Sequence, residues 1–521
     1  MPDQPAIIEI RTRTQITFKQ LEEESNLIAS GLLHHSLKKG DRVLVMVPYG
    51  VDFVTLTFGL FKAGAVPILI DPGLGKKNVL HCIKQSEPQG IIAIPLAHAV
   101  KTLIPAPFKS IRLSVTVGRK WFWRGLTLDQ VKRNGHTGYQ VGEIPEEQTA
   151  AVLFTSGSTG PAKGVLYTHG MFGQQIRILR EHFGIRPGEK DLPTFPLFGL
   201  FSAGMGMTSV IPDMDPTRPA KVNPENIIHP IQNYRISSSF GSPALWDTVS
   251  RYCQKNKIRL PSLRRILIAG APVPGTLLKR FESILEPDCK VLTPYGATEA
   301  LPVTSIERQE ILDDTWAQSE KGEGTCIGKA VPGAEIKIIQ ISDEPISKWE
   351  EGLEIPRGQT GEIIVKAPWV TKTYFNREDV TRLAKIPDGN TFWHRMGDVG
   401  KWDEQNRLWF CGRKSHRVII GLETLFTIPC EAIFNQHTDV KRSALVGKGS
   451  NREPVIIIEP ENKDRVAKDR KTFTKELLEL GAAHPHTRSI KKILFHPDFP
   501  VDVRHNAKIF REKLADWAEG Q

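Results

Sequence analysis

The residues best equipped for chemistry lie in Leu153–Tyr167, which reads LFTSGSTGPAKGVLY. A strand-like run over Ala150–Phe154 opens into Thr155-Ser156-Gly157-Ser158-Thr159-Gly160, followed by Lys163 and Gly164. Glycines let backbone N–H groups approach an anion closely, the hydroxyls add donors, and Lys163 supplies positive charge. That combination suits a polyphosphate. It is not a Walker A loop, because Gly164 stands where that pattern needs Ser or Thr after the lysine.

Such a loop has to be carried by a sheet, and the flanking sequence supplies one. Thr17-Phe18-Lys19-Gln20 is a capping-box start for a helix running to about Leu33. Arg42–Val47 and Val66–Ile70 are short β-branched strands with a helical stretch, Val51–Lys62, between them; Ile91–Ala93 and Ala150–Phe154 continue the alternation. Strands alternating with helices imply a mostly parallel sheet covered on both faces. Leu263–Ala269 and Lys290–Leu292 are further buried strands of this kind, and Glu335–Ile339 with Gly361–Val365 form a smaller β-rich portion. After Gly412-Arg413 come three short strands, Ala444–Val446, Val455–Glu459 and Ile493–Phe495, with a helix over Arg470–Leu480. The expected fold class is α/β: a large N-terminal domain (residues 1–413) with doubly wound sheets and a β-rich subdomain, then a small α/β C-terminal domain (residues 414–521).

Composition sets outer bounds. The 521 residues are 40% apolar and 24% charged, as in an ordinary globular protein. The six cysteines are scattered without a C-x-x-C pair, which points to a reducing compartment and away from a disulfide framework or zinc site. Met1-Pro2-Asp3-Gln4 runs directly into strand-like Ala6–Ile10, so the expected location is cytoplasmic. Pro193–Pro212 lacks charge, but Pro196, Gly199, Gly204 and Gly206 interrupt it, and a buried segment or pocket wall is expected there rather than a transmembrane span. The net charge of +11 suits anionic ligands such as ATP; the basic residues are dispersed, and nucleic-acid binding is not expected.

Thr155–Gly164 resembles the phosphate-binding signature of the AMP-forming adenylate enzymes, which include acyl-CoA synthetases, luciferases and peptide-synthetase adenylation domains. Tyr295-Gly296-Ala297-Thr298-Glu299, Met396-Gly397-Asp398, Gly412-Arg413 and Lys508 follow in that family's order. The resemblance implies that Thr155–Gly160 and Lys163 cradle the ATP phosphates, Thr298 bonds the α-phosphate and Glu299 helps hold Mg²⁺. Tyr295 and Gly296 with the turn Gly270-Ala271-Pro272 form the adenine side, and Asp398 assisted by Arg413 takes the ribose hydroxyls. Lys508 reaches the junction of carboxylate and α-phosphate, although Ala507 stands where the family usually has Gly. The C-terminal domain is then a mobile lid hinged at Ser415, a position where Asp or Lys is commoner.

The same resemblance places the acyl group against Phe195–Phe201 (FPLFGLF), with Phe198, Gly199 and Phe201 as pocket residues; a small Gly199 in place of a bulky group is expected to widen the pocket for an alkyl chain. After Arg413 the run to Glu431 departs from the CoA ligases: Gly421 sits at a shifted spacing, which weighs against CoA as acceptor. Ile70-Asp71-Pro72-Gly73, Pro212–Pro219, Arg417-Val418 and Pro429-Cys430-Glu431-Ala432 instead resemble the olefin β-lactone synthetases. That group implies a 2-alkyl-3-hydroxy acid whose own hydroxyl displaces AMP. The alternatives are a long-chain fatty acid–CoA ligase and a non-catalytic nucleotide-binding relative. Trp121-Phe122-Trp123-Arg124 is an aromatic cluster suited to a membrane surface or to a partner enzyme handing over a greasy acid.

Overall fold

The computed structural model describes residues 1–155, 162–449, 451–501 and 509–521, without the side chains of Thr155, Arg465 and Ala467. The expected elements form where sequence placed them. Thr17 caps the helix Phe18–His34: its hydroxyl accepts from Gln20 N, and Gln20 reaches back to the Thr17 backbone. The strands Arg42–Met46 and Val66–Ile70 flank the helix Val51–Lys62.

Two large sheets carry the N-terminal part. In the seven-stranded one, Leu126–Thr127, Leu113–Thr116, Gly90–Ala93, Arg42–Met46, Val66–Ile70 and Thr149–Thr155 are parallel neighbours in that order. Lys163–Thr168 then pairs antiparallel with Thr149–Thr155 and closes the row as a hairpin. In the fourteen-stranded sheet, Pro5–Glu9, Thr208–Ile211, Lys190–Pro193, Ser238–Gly241, Arg265–Ile268 and Lys290–Ala297 are parallel. Beyond Lys290–Ala297 every pairing along the row is antiparallel, which is the expected β-rich portion. The parallel rows turn antiparallel where Thr149–Thr155 pairs with Lys163–Thr168 and where Lys290–Ala297 pairs with Ala300–Glu307, the latter hairpin having Thr298-Glu299 at its tip; Thr14–Thr17 adds a further antiparallel pairing at the far edge of the larger sheet. Tips at the carboxyl ends of parallel strands are where open α/β sheets bind ligands.

The uncharged stretch Pro193–Pro212 is a wall segment. It contributes the helix Pro196–Gly204 and the fully buried strand Thr208–Ile211. Among the described residues no helix is long and apolar enough to cross a membrane. The C-terminal part has its own three-stranded sheet, Val440–Lys448, Glu453–Pro460 and Lys492–Phe495. The helix Lys463–Ala482 breaks its helical conformation at Asp469, whose carboxylate accepts from Thr472 N at 3.2 Å. That internal cap is why a helix beginning at Arg470 is legible.

Candidate active site

A cleft of about 1910 Å³ lies beside Lys163 on one hairpin and Thr298-Glu299 on the other. Lys163, Gly270, Gly296, Thr298, Glu299, Gly397, Arg413 and Ser415 all border it. Ser156, Gly157, Ser158, Thr159, Gly160 and Lys508 lie outside the described residues. Thr155 ends its strand opposite Lys163, and Val501 pairs antiparallel with Ile509.

The turn Thr298-Glu299 is pinned from several sides. The Tyr167 hydroxyl donates to Thr298 O, and Thr371 N donates to Glu299 O at 2.9 Å. The Tyr374 hydroxyl donates to Glu299 Oε1 at 2.6 Å; burial, reinforced by Glu299, pushes that hydroxyl far up, so it remains a donor. Lys163 Nζ sits 5.5 Å from the centre of the Tyr374 ring. Burial pulls Lys163 below the ordinary lysine value, and Glu299 opposes that pull. Mg²⁺ is commonly held by one or two carboxylates plus phosphate oxygens, and Glu299 at the cleft's border is a carboxylate that could serve. Among the described residues no cluster of three or more His, Cys, Asp or Glu offers a self-contained metal cage.

Arg413 at the cleft's border faces Asp398 in the strand register, and Asp398 and Tyr295 lie behind the lining residues. Arg413 Nη1 donates to Asp398 Oδ1 at 2.7 Å and the Tyr295 hydroxyl to Oδ2 at 2.7 Å. Asp398 is 2% exposed; burial pushes its carboxyl up while Arg413 and Tyr295 pull it down. Each carboxylate oxygen keeps one further acceptor site. Gly296 leaves no room for a side chain, since a Cβ there would lie 2.5 Å from Ala300 O. Gly270 adopts φ +100°, a left-handed conformation that favours glycine, and borders the cleft; Ala271 and Pro272 continue the turn outside its lining.

The acyl side corrects one expectation. Phe198 borders the cleft and stacks on Phe240, with ring centroids 3.4 Å apart. Gly199 does not widen the cleft: a Cβ there would lie 1.9 Å from Tyr49 Oη, so the space left by the missing side chain is filled by Tyr49. Phe201 is likewise turned into the core, against Phe172 and Phe198. The apolar wall comes largely from elements that the sequence did not mark, the helices Lys76–Ser86 (Val79, Leu80, Ile83) and Pro95–Leu103 (Leu96, Ala97, Val100).

Ser415 lies in the short 3₁₀ turn Lys414–His416, and its neighbours are tied in two directions. Lys414 Nζ pairs with the buried Glu362 at 3.0 Å and Arg417 with Asp343 at 2.5 Å, both in the N-terminal part. His416 Nε2 lies 3.1 Å from Glu512 in the C-terminal helix Arg511–Glu519.

Sequence reasoning missed Tyr167, Tyr374, Lys385 and His394. His394 borders the cleft together with its neighbours Arg395, Met396 and Gly397, on the strand that carries Asp398; a bulge with Gly397 at φ +68° breaks the period-two alternation before Asp398. Its Nδ1 is 3.0 Å from Nζ of the buried Lys385, which also donates to Thr371 O. Burial pushes Lys385 down to about 7.

A family model described as AMP-binding enzyme matches residues 1–375. An olefin β-lactone synthetase from Xanthomonas campestris is 45% identical over 515 residues, covering 97% of this chain and 91% of that protein. One from Stenotrophomonas maltophilia is 43% identical, covering 97% and 92%. An ATP-bound RpMatB–BxBclM chimera superposes with a TM-score of 0.80, covering all of this chain and 97% of that one; at 20% identity this speaks to the fold alone. With most of its length matched by that family model and two relatives above 40% identity, the chain belongs to the AMP-binding enzyme family and is an AMP-forming ligase or synthetase.

Proposed function

We propose that the enzyme activates a long-chain 2-alkyl-3-hydroxy acid with Mg-ATP, releasing pyrophosphate, and closes it to a β-lactone with release of AMP. One observation carries this reading. Two stretches that resemble the β-lactone synthetases, Ile70-Asp71-Pro72 and Pro212–Thr217, border the cleft in which the acid would lie. Both relatives above 40% identity bear that name.

Bound ATP supplies an α-phosphate that turns a carboxylate oxygen, a poor leaving group, into part of AMP. Lys163 and Thr155–Gly160 hold the phosphate chain, Thr298 bonds the α-phosphate, and Glu299, oriented by Tyr374, holds Mg²⁺. Asp398, paired with Arg413, accepts from the ribose hydroxyls beside Tyr295. Lys508 neutralises the charge developing where carboxylate meets phosphate. The aromatic pair Phe198 and Phe240 and the apolar helices opposite exclude water from the activated acid. The 3-hydroxyl oxygen then bonds to the carbonyl carbon, the bond to AMP breaks, and the hydroxyl proton is lost; the nucleophile is already tethered, so proximity favours closure. The C-terminal domain, residues 414–521, acts as a lid hinged at Ser415.

The test is product mass. With Mg-ATP and a 2-alkyl-3-hydroxy acid, and no CoA, the expected products are AMP and the acid less one water. An acyl-CoA formed only when CoA is present would make the enzyme a fatty acid–CoA ligase, and ATP binding without turnover would make it a non-catalytic relative.

A further inference from the structure

The apolar side of the cleft reaches the surface between the helices Lys76–Ser86 and Pro95–Leu103. Leu96 and Ile104 both border the cleft and stand 68% and 44% exposed. Next to them Leu103 is 81% exposed, and Trp121 and Phe122 are 54% and 76% exposed. These five are close to half of the large exposed apolar side chains among the described residues. Trp123 fastens the 121–123 loop to the second of these helices. Its ring stacks on His98 of the helix Pro95–Leu103 at 5.5 Å, and its Nε1 donates to Thr116 Oγ1 at 2.9 Å. Trp121 and Phe122 each lie 5.4 Å from the Trp123 ring, centroid to centroid.

The same segments are basic. From Pro88 to Leu128 the sequence holds six Lys and Arg and no Asp or Glu. Arg112 is engaged with Asp41 and Lys101 with Ser114, while Lys109, Arg119 and Arg124 are exposed. Lys76 and Lys77 add two exposed positive charges across the mouth. Exposed Trp, Phe and Leu ringed by Lys and Arg are the composition that partitions into the headgroup region of an anionic bilayer.

We propose that this face docks on anionic phospholipid, seating the mouth of the cleft on the bilayer. An acid of the kind proposed above partitions into lipid, so it passes from membrane to cleft without crossing water. That route rests on the proposed function; the docking does not.

Vesicle co-sedimentation tests it, with full-length protein and neither acid nor nucleotide. The protein is expected to sediment with phosphatidylcholine vesicles containing phosphatidylglycerol and to remain in solution with phosphatidylcholine alone. Each basic residue near such a surface strengthens binding about fivefold, so the double variant Lys109→Glu/Arg119→Glu loses at least about tenfold. Trp121→Ser/Phe122→Ser is expected to lose at least about tenfold as well, while both variants keep wild-type pyrophosphate release on a short, water-soluble acid. Equal sedimentation with both vesicle types, no binding to either, or binding indifferent to both variants would overturn the proposal. So would a dimer abolished by Trp121→Ser/Phe122→Ser without vesicle binding, which would give the face to a second copy of the chain. Failure here leaves lactone formation standing, and failure to form lactone leaves the docking result standing.

Discussion

At the scale of single residues, the site depends on charges placed where water is scarce. Lys508 is assigned the charge developing at the carboxylate–phosphate junction, so Lys508→Ala is expected to slow pyrophosphate release by about 10²-fold or more; an unchanged rate would remove the lysine from the mechanism. The Tyr374 hydroxyl holds Glu299 by a hydrogen bond to a charged acceptor. Such bonds contribute about 1.5–3 kcal/mol, and Tyr374→Phe should lower kcat/KM for Mg-ATP by about tenfold or more, with a shifted Mg²⁺ dependence. Lys385 gives a pH signature. Its folded value of about 7 lies below the ordinary 10.5, so the fold disfavours the protonated form. The penalty is absent above pH 10.5, grows as the pH falls, and is complete below about 7. Urea unfolding of wild type against Lys385→Met should show wild type losing relative stability as the pH is lowered through that window. A difference independent of pH would contradict the assignment.

At the scale of elements, what the sequence revealed and what it hid separate along a physical line. Locally encoded features were legible: the Thr17–Gln20 capping box, the helix from Arg470 that Asp469 caps, and the parallel strands written in β-branched residues. Lys163 and Gly296-Ala297-Thr298-Glu299, which border the cleft, were legible too, because glycines and paired polar residues between strands have few other uses. Gly199 was misread because its partner is remote in sequence: nothing around position 199 announces that Tyr49 Oη takes its place. The Lys385–His394 contact was invisible for a related reason, since a lysine is a surface residue until tertiary packing buries it. The Gly199 packing makes a prediction of its own. Gly199→Ala forces Tyr49 to move and should cost about 1–3 kcal/mol, and Tyr49→Ala in the same chain should recover part of that loss. Strictly additive losses in chemical denaturation would show that the two side chains do not compete for one space.

At the scale of the whole molecule, the proposed reaction runs two half-reactions in one cleft, and the C-terminal part is attached through a segment bordering it. Arg417 and Asp343 form an ion pair across that attachment, with Asp343 largely exposed. Exposed pairs contribute about 1 kcal/mol at most, so Arg417→Ala should leave the melting temperature nearly unchanged. It should nevertheless change the ratio of pyrophosphate release to AMP release, by up to about fivefold, because it destabilises one docking of the lid relative to others. Equal scaling of both steps would argue against a lid that moves between them.

The central claim is that the carboxylate is activated and the 3-hydroxyl attacks, and isotope position tests it most directly. A 2-alkyl-3-hydroxy acid carrying ¹⁸O in both carboxylate oxygens is turned over with Mg-ATP in the absence of CoA. The account predicts one ¹⁸O in AMP and one in the carbonyl of the lactone, whose ring oxygen comes unlabelled from the hydroxyl. Unlabelled AMP with both ¹⁸O atoms retained in the lactone would mean that the hydroxyl is activated instead, and would contradict the account.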